Sequence, residues 1–140
     1  MKKAVILDEI SIDRKIKRLS YEIFERNLNN KKILLVGIKK NGFFLAKLIK
    51  KELSKICKIK IVITQVLVDK QKPFAECIIY NNSIQTHRNT SVIVIDDVCS
   101  SGKTMMYVVS SLIYNLTNKI STLVLVDRKH HNFPIKTDYV

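Results

Sequence analysis

Apolar residues fall along this chain in two rhythms. The first repeats every three or four positions. Ile12, Ile16, Leu19 and Ile23 share one side of a stretch from Asp8 to about Asn27, which predicts an amphipathic helix capped by the Asp8 side chain. A second helical stretch runs from Phe43 to about Ile56, with Phe44, Leu48 and Glu52 four apart, and a third from Lys103 to about Leu116. The second rhythm is short and continuous. Residues 33–36, 92–95 and 123–126 are apolar throughout, as expected of strands covered on both faces. Residues 60–68 form a longer run rich in β-branched residues, a further strand. Residues 76–80 and 135–139 predict two short strands, and residues 5–7 a brief apolar start. Loops are expected over 37–42, 69–75, 96–102 and 127–134, with a polar connection over 81–90. The Lys-Gln-Lys-Pro of the second loop predicts mobility.

Helices thus alternate with buried strands. The pattern predicts one α/β domain, residues 1–140, built on a mainly parallel central sheet flanked by helices. Ligands in such sheets bind beyond the carboxyl ends of the strands. The glycine-bearing loops at Gly37, Gly42 and Gly102 both lie at that edge, and these are the chain's three glycines.

Composition narrows the picture only at some points. No apolar run reaches the roughly 18 residues a membrane span needs, and the stretch after Met1 is too short for a secretion signal. A cytoplasmic location is the expectation, without a membrane partner. Cys57, Cys77 and Cys99 are odd in number and widely spaced, and neither they nor His87, His130 and His131 show a metal-binding spacing. Reduced thiols are expected. The net charge of +13 suits a polyanionic partner or phosphorylated substrates. Of the 25 basic residues, however, 20 are lysine, and Lys, Asn and Ile together make 50 of 140 residues. All three have A/T-rich codons, so most of the charge is attributed to composition bias.

Candidate chemistry concentrates in Val92-Ile-Val-Ile-Asp-Asp-Val-Cys-Ser-Ser-Gly-Lys-Thr104. An apolar strand delivers two adjacent carboxylates, a short turn follows, and Lys103 opens a helix. The free N–H groups and positive dipole end of a helix N-terminus suit a phosphate dianion. Ser100, Ser101 and Thr104 add hydroxyl donors, and Gly102 lets the backbone come close. Asp96 and Asp97 can accept hydrogen bonds from a sugar diol, directly or through Mg²⁺. The Gly-Lys-Thr sequence invites comparison with a nucleotide-triphosphatase loop, but that motif needs glycine at position 97, where this chain places an anion. A plain helix cap explains neither the paired acids nor the hydroxyl cluster.

The segment resembles the phosphoribosyl pyrophosphate (PRPP) signature of type I phosphoribosyltransferases. Residues 35–47, LVGIKKNGFFLAK, resemble the family's pyrophosphate loop. Residues 17–23 (KRLSYEI), 125–130 (LVDRKH) and 134–139 (PIKTDY) resemble one branch, the pyrimidine-operon regulators with uracil phosphoribosyltransferase activity. The resemblance implies the type I phosphoribosyltransferase fold and transfer of a 5-phosphoribosyl group from Mg²⁺-bound PRPP to a pyrimidine base, with release of pyrophosphate. It implies that Asp96 and Asp97 act at the ribose hydroxyls and the Mg²⁺. Val98, Cys99, Ser100, Ser101, Gly102, Lys103 and Thr104 would bind the 5′-phosphate, and Gly37, Ile38, Lys39, Lys40, Asn41 and Gly42 the pyrophosphate. Val126, Asp127 and Tyr139 are the implied base-binding residues. Purine members usually carry an acid where this chain has Ser100, which favours a pyrimidine.

The branch also implies a homodimer and an RNA-binding face, here matched by Lys17, Arg18 and His131. The alternatives are therefore an RNA-binding regulator of pyrimidine genes or a non-catalytic PRPP-binding module. The chain departs from the branch at Asn41, where Arg is frequent, and at 67–73, where Tyr-Arg-Asp-Asp is typical. Its C-terminal hood, which completes the base site, is expected to be shortened, because the family continues past an Asp-Tyr like Asp138-Tyr139 into a glycine and a further strand, and this sequence stops at Val140.

Overall fold

The structure, a computed structural model, describes residues 8–68, 78–80, 90–113 and 119–140. Asp8 begins the first helix as expected: its carboxylate accepts the Ser11 N–H at 2.7 Å and caps α1, Glu9–Arg26. Strand β1, Lys32–Ile38, leads into α2, Lys39–Ile56. Then come β2 (Lys60–Leu67), β3 (Ile78–Tyr80), β4 (Thr90–Cys99), α3 (Lys103–Ile113) and β5 (Ile120–Asp127).

Among the described residues, the five strands form one sheet in the order β3-β2-β1-β4-β5. β2, β1, β4 and β5 run parallel, and β3 joins the edge antiparallel. The apolar runs lie in the middle, where both faces are covered. Ile33, Leu35, Ile93 and Ile95 pack on one face against Ile16, Leu19 and Ile23 of α1 and Leu45, Ile49 and Leu53 of α2. Their neighbours Leu34, Val36, Val92 and Val94 face the other way and pack against Met105, Val108 and Leu112 of α3. Strand alternation thus divides one continuous apolar run between two cores.

Four expectations need correction. Residues 37–42 are not a loop: Gly37 and Ile38 finish β1, and Lys39 opens α2 directly. Residues 96–99 are not a loop either, because β4 continues through both aspartates to Cys99, paired with β5 as far as Asp127. In α2, the four-residue spacing of Phe44, Leu48 and Glu52 does not mark the buried face. Phe44 is 63% exposed, and Gly42, Leu45, Ala46, Ile49 and Leu53 are buried instead. The strand expected over 135–139 is a single bridge between Leu123 and Tyr139. Residues 5–7, 69–77, 81–89 and 114–116, and with them the expected mobile loop, lie outside the described residues.

Candidate functional site

Two close backbone approaches build the site. A Cβ on Gly42 would stand 2.4 Å from the Ile95 carbonyl oxygen, and one on Gly37 would stand 2.4 Å from Phe43 Cα. Glycine at both positions lets the first turn of α2 settle on the ends of β1 and β4. Lys39 makes the sharp transition between them with φ of 56°, a left-handed conformation few side chains adopt. The turn carries Asn41 to Asp97, whose Oδ2 accepts the Asn41 amide at 3.0 Å.

Beyond Cys99 the chain turns through residues 100–102, where Gly102 has φ of 84°. The Gly102 carbonyl accepts the Met106 N–H at 2.9 Å, and the Ser101 hydroxyl accepts the Lys103 N–H at 3.3 Å. The Ser101 carbonyl in turn accepts the N–H groups of Asn132 and Phe133 at 3.0 and 3.2 Å. The segment after β5 therefore props the turn from behind.

A cleft of about 240 Å³ opens between these elements. Ile38, Lys39 and Asn41 line one side, and residues 96–104 with Met105 line the other. All nine residues expected to act at the ribose and its phosphate thus share one cavity with three of the six expected at the pyrophosphate. Of the other three, Gly37 and Gly42 are buried in packing, and Lys40 is exposed outside the cleft.

The two aspartates divide their roles. Burial pushes the Asp96 carboxyl up to about 7, and the hydrogen bond and negative charge of Asp97 add to this; the positive charge of Lys39 works against it. Burial also works against the charge of Asp97. Hydrogen bonds from Asp96, the Val98 N–H and Asn41 outweigh it and hold that carboxyl below its ordinary value. Near neutrality Asp97 is therefore ionised and Asp96 only partly so, and a cation arriving at the pair would draw out the remaining proton. Oxygen donors of this kind fit Mg²⁺.

The remaining expected residues lie elsewhere. Val126 is half-buried beside Val98 in the sheet. Asp127 accepts the Thr137 hydroxyl at 2.6 Å and contacts His131 Nε2 at 2.8 Å. Tyr139 is 1% exposed, with the Arg26 guanidinium 4.8 Å from its ring centroid, so its ring belongs to the core and does not face the cleft. Lys17 pairs with Asp13 at 3.2 Å. Arg18 pairs with Glu22 at 2.6 Å and donates to the Val140 carbonyl at 2.7 Å. His131 turns both ring nitrogens inward, to Asp127 and to the Ile135 carbonyl.

One grouping escaped the sequence. Cys99, Asp127 and His131 bring their donor atoms within 4.8 Å of one another. Their spacing along the chain gives no hint of this. The only available signal was that Cys99 and Asp127 each close a buried strand, which places them side by side in register.

Residues 4–140 match the phosphoribosyl transferase domain family. The Bifunctional protein PyrR of Streptococcus agalactiae is 34% identical over 145 residues, covering 100% of this chain and 82% of that protein. The Clostridium kluyveri protein of the same name is 34% identical over 144 residues, covering 99% and 81%. Among solved structures, a hypoxanthine-guanine phosphoribosyltransferase from Bacillus anthracis superposes with a TM-score of 0.81 at 16% identity, over 100% of this chain and 81% of that one. A purine phosphoribosyltransferase from Pyrococcus horikoshii gives 0.73 at 20% identity, over 95% and 82%. The domain match, the full-length relatives and the shared architecture agree: this chain belongs to the type I phosphoribosyltransferase family, on its PyrR-like branch.

Proposed function

We propose that the cleft binds PRPP and transfers its phosphoribosyl group to a pyrimidine base, uracil before others. The observation that carries this is the Asp96 and Asp97 pair, set between a hydroxyl-rich helix N-terminus and the Lys39 and Asn41 turn, all in one cavity. In the reaction, the bond from the sugar's C1 to pyrophosphate oxygen breaks and a bond from C1 to a base nitrogen forms. Pyrophosphate leaves with the bonding pair, and the proton of the base nitrogen passes to it or to solvent.

Each part of the cleft has a task in that step. The N–H groups and hydroxyls of residues 100–104 anchor the 5′-phosphate and so fix the sugar. Asp96 and Asp97 accept the ribose hydroxyls, and their negative charge faces the cationic sugar of the transition state. Lys39 and the start of α2 lie where the pyrophosphate would gather charge. Mg²⁺, held with PRPP at Asp96 and Asp97, would neutralise part of the pyrophosphate charge.

Ser100 supports the choice of base, because a hydroxyl in this cleft cannot supply the acid that a purine nitrogen calls for. Val126 and Asp127 are the proposed base-side residues; Tyr139 is left out because its ring is buried. The cytoplasm is the proposed compartment and a homodimer the proposed assembly.

A pyrophosphate-release assay with Mg-PRPP and a panel of uracil, hypoxanthine and guanine tests the proposal. Turnover with uracil alone is expected. Faster turnover with hypoxanthine would overturn the assignment of the base. PRPP binding with no turnover on any base would leave a PRPP-binding module.

The PyrR-like relatives favour a second role as an RNA-binding regulator. Lys17 and Arg18 are its candidate contacts, both exposed on α1. Sequence-selective, salt-sensitive binding to a pyrimidine-operon leader RNA is expected, and equal affinity for unrelated RNA would count against it.

A further inference from the structure

Cys99 is the last residue of β4 and Asp127 the last of β5, and the two are partners across the strands. Lys129, with φ of 59°, reverses the chain just beyond. His131 consequently returns to the same spot. Its Nε2 lies 3.5 Å from the Cys99 sulfur and 2.8 Å from Asp127 Oδ1. We propose that these three side chains form a binding site for a borderline divalent cation of the zinc class, with a fourth position left for water.

One edge of the donor triangle already has the length such an ion needs. Tetrahedral coordination with metal–sulfur and metal–nitrogen bonds of about 2.3 and 2.0 Å sets sulfur and nitrogen roughly 3.5 Å apart. That is the separation of Cys99 Sγ and His131 Nε2. The nitrogen-to-oxygen edge would have to open from 2.8 Å to about 3.3 Å, as a bridging proton gives way to a metal ion.

Both other ligands are already oriented from behind. His131 Nδ1 sits 3.0 Å from the Ile135 carbonyl. That carbonyl can only accept, so Nδ1 carries its proton and Nε2 is the atom offered to the cluster. Asp127 Oδ2 accepts the Thr137 hydroxyl at 2.6 Å, which leaves Oδ1 turned towards the histidine. Outer hydrogen bonds that hold a ligand imidazole and carboxylate in this manner are the usual support of a metal centre. Sulfur and imidazole donors select the zinc class over magnesium, a donor set distinct from the oxygens of Asp96 and Asp97, although Cys99 also lines their cleft. Access runs past the His131 side chain, which is 18% exposed.

The site is tested on the full-length, reduced, metal-free protein, titrated with Co²⁺ and then Zn²⁺ and without PRPP. That choice keeps the outcome independent of the proposed transferase function. One equivalent of cobalt should produce the near-ultraviolet thiolate-to-cobalt band and the visible bands of a tetrahedral ion. Zinc should abolish both, and excess Mg²⁺ should leave them unchanged. Cys99→Ser should remove the thiolate band, and His131→Gln should weaken zinc binding by roughly 100-fold. Cys57→Ala should behave as wild type. Absence of a thiolate band in the wild type, or its survival in Cys99→Ser, would overturn the site. Should Cys99→Ser fail to fold, the partly exposed His131 still decides the matter: zinc affinity unchanged in His131→Gln overturns the proposal.

Discussion

Replacing Asp96 with asparagine should make the protein more stable while weakening its grip on PRPP. In the unfolded chain the Asp96 carboxyl loses its proton near the ordinary 3.8, whereas burial in the folded protein pushes it to about 7. Below the lower value both states hold the proton, and folding bears no penalty. As pH rises from there, only the unfolded chain ionises, so stability falls by about 1.36 kcal/mol for each pH unit. The loss levels off above about 7, at roughly 4 kcal/mol in total. Asparagine has no charge to desolvate, and its side-chain oxygen can still accept the Asp97 N–H that Asp96 accepts at 2.9 Å. The variant should therefore gain little at about pH 4.5 and up to roughly 4 kcal/mol at about pH 8, a rise in Tm on the order of 10 °C. Thermal unfolding of both proteins across that range reads the difference directly. A Tm gap that does not widen with pH, or a variant less stable than wild type at about pH 8, would refute the assignment of a buried, charge-bearing carboxyl at the cleft. Calorimetry on the same samples should show weaker Mg-PRPP binding, because an amide meets the ribose hydroxyls and the cation without charge.

Three further changes probe the frame around that carboxyl. Gly42→Ala places a methyl group 2.4 Å from the Ile95 carbonyl oxygen; the backbone must shift, at a cost of about 1–3 kcal/mol. Melting curves should show the loss, and calorimetry a fall in PRPP affinity as Lys39 and Asn41 move. Asn41→Ala removes the 3.0 Å hydrogen bond that helps keep Asp97 ionised. Binding of Mg-PRPP should weaken by about 1 kcal/mol, near fivefold, with Tm little changed because the residue is exposed. Tyr139→Phe gives up the hydroxyl's 3.4 Å contact with Asn27 and its hydrogen bond with Arg26, and keeps the ring in place. Stability should fall by less than about 1 kcal/mol, and KM for the base should not move, since the ring lies in the core.

Much of the fold could be read before any coordinates, for reasons that are local. The cap at Asp8, the face formed by Ile16, Leu19 and Ile23, and the apolar runs of β1, β4 and β5 all report on neighbours within a few residues. The cleft residues 96–104 were legible because carboxylates, hydroxyls and glycine follow one another along a single strand-to-helix passage. What was missed depends on partners distant in sequence. β4 runs on through Asp96 and Asp97 because β5 supplies its hydrogen-bond partners up to Asp127, and no property of residues 96–99 alone shows it. The junction at residues 37–42 is tight because Gly42 meets Ile95, more than fifty residues away. Phe44 misled because apolar spacing by fours marks a stripe without saying which side of the helix meets the sheet. The Cys99, Asp127 and His131 group arises only when two strand ends are placed side by side.

Isothermal titration of the wild type and of Asp97→Asn with PRPP and Mg²⁺ addresses the cleft most directly. The wild type should bind one PRPP per chain, and the variant should bind at least roughly 100-fold more weakly, since it removes the ionised partner of a charged contact. No heat of binding in the wild type, or equal affinity in the two proteins, would contradict a cleft built around twin carboxylates.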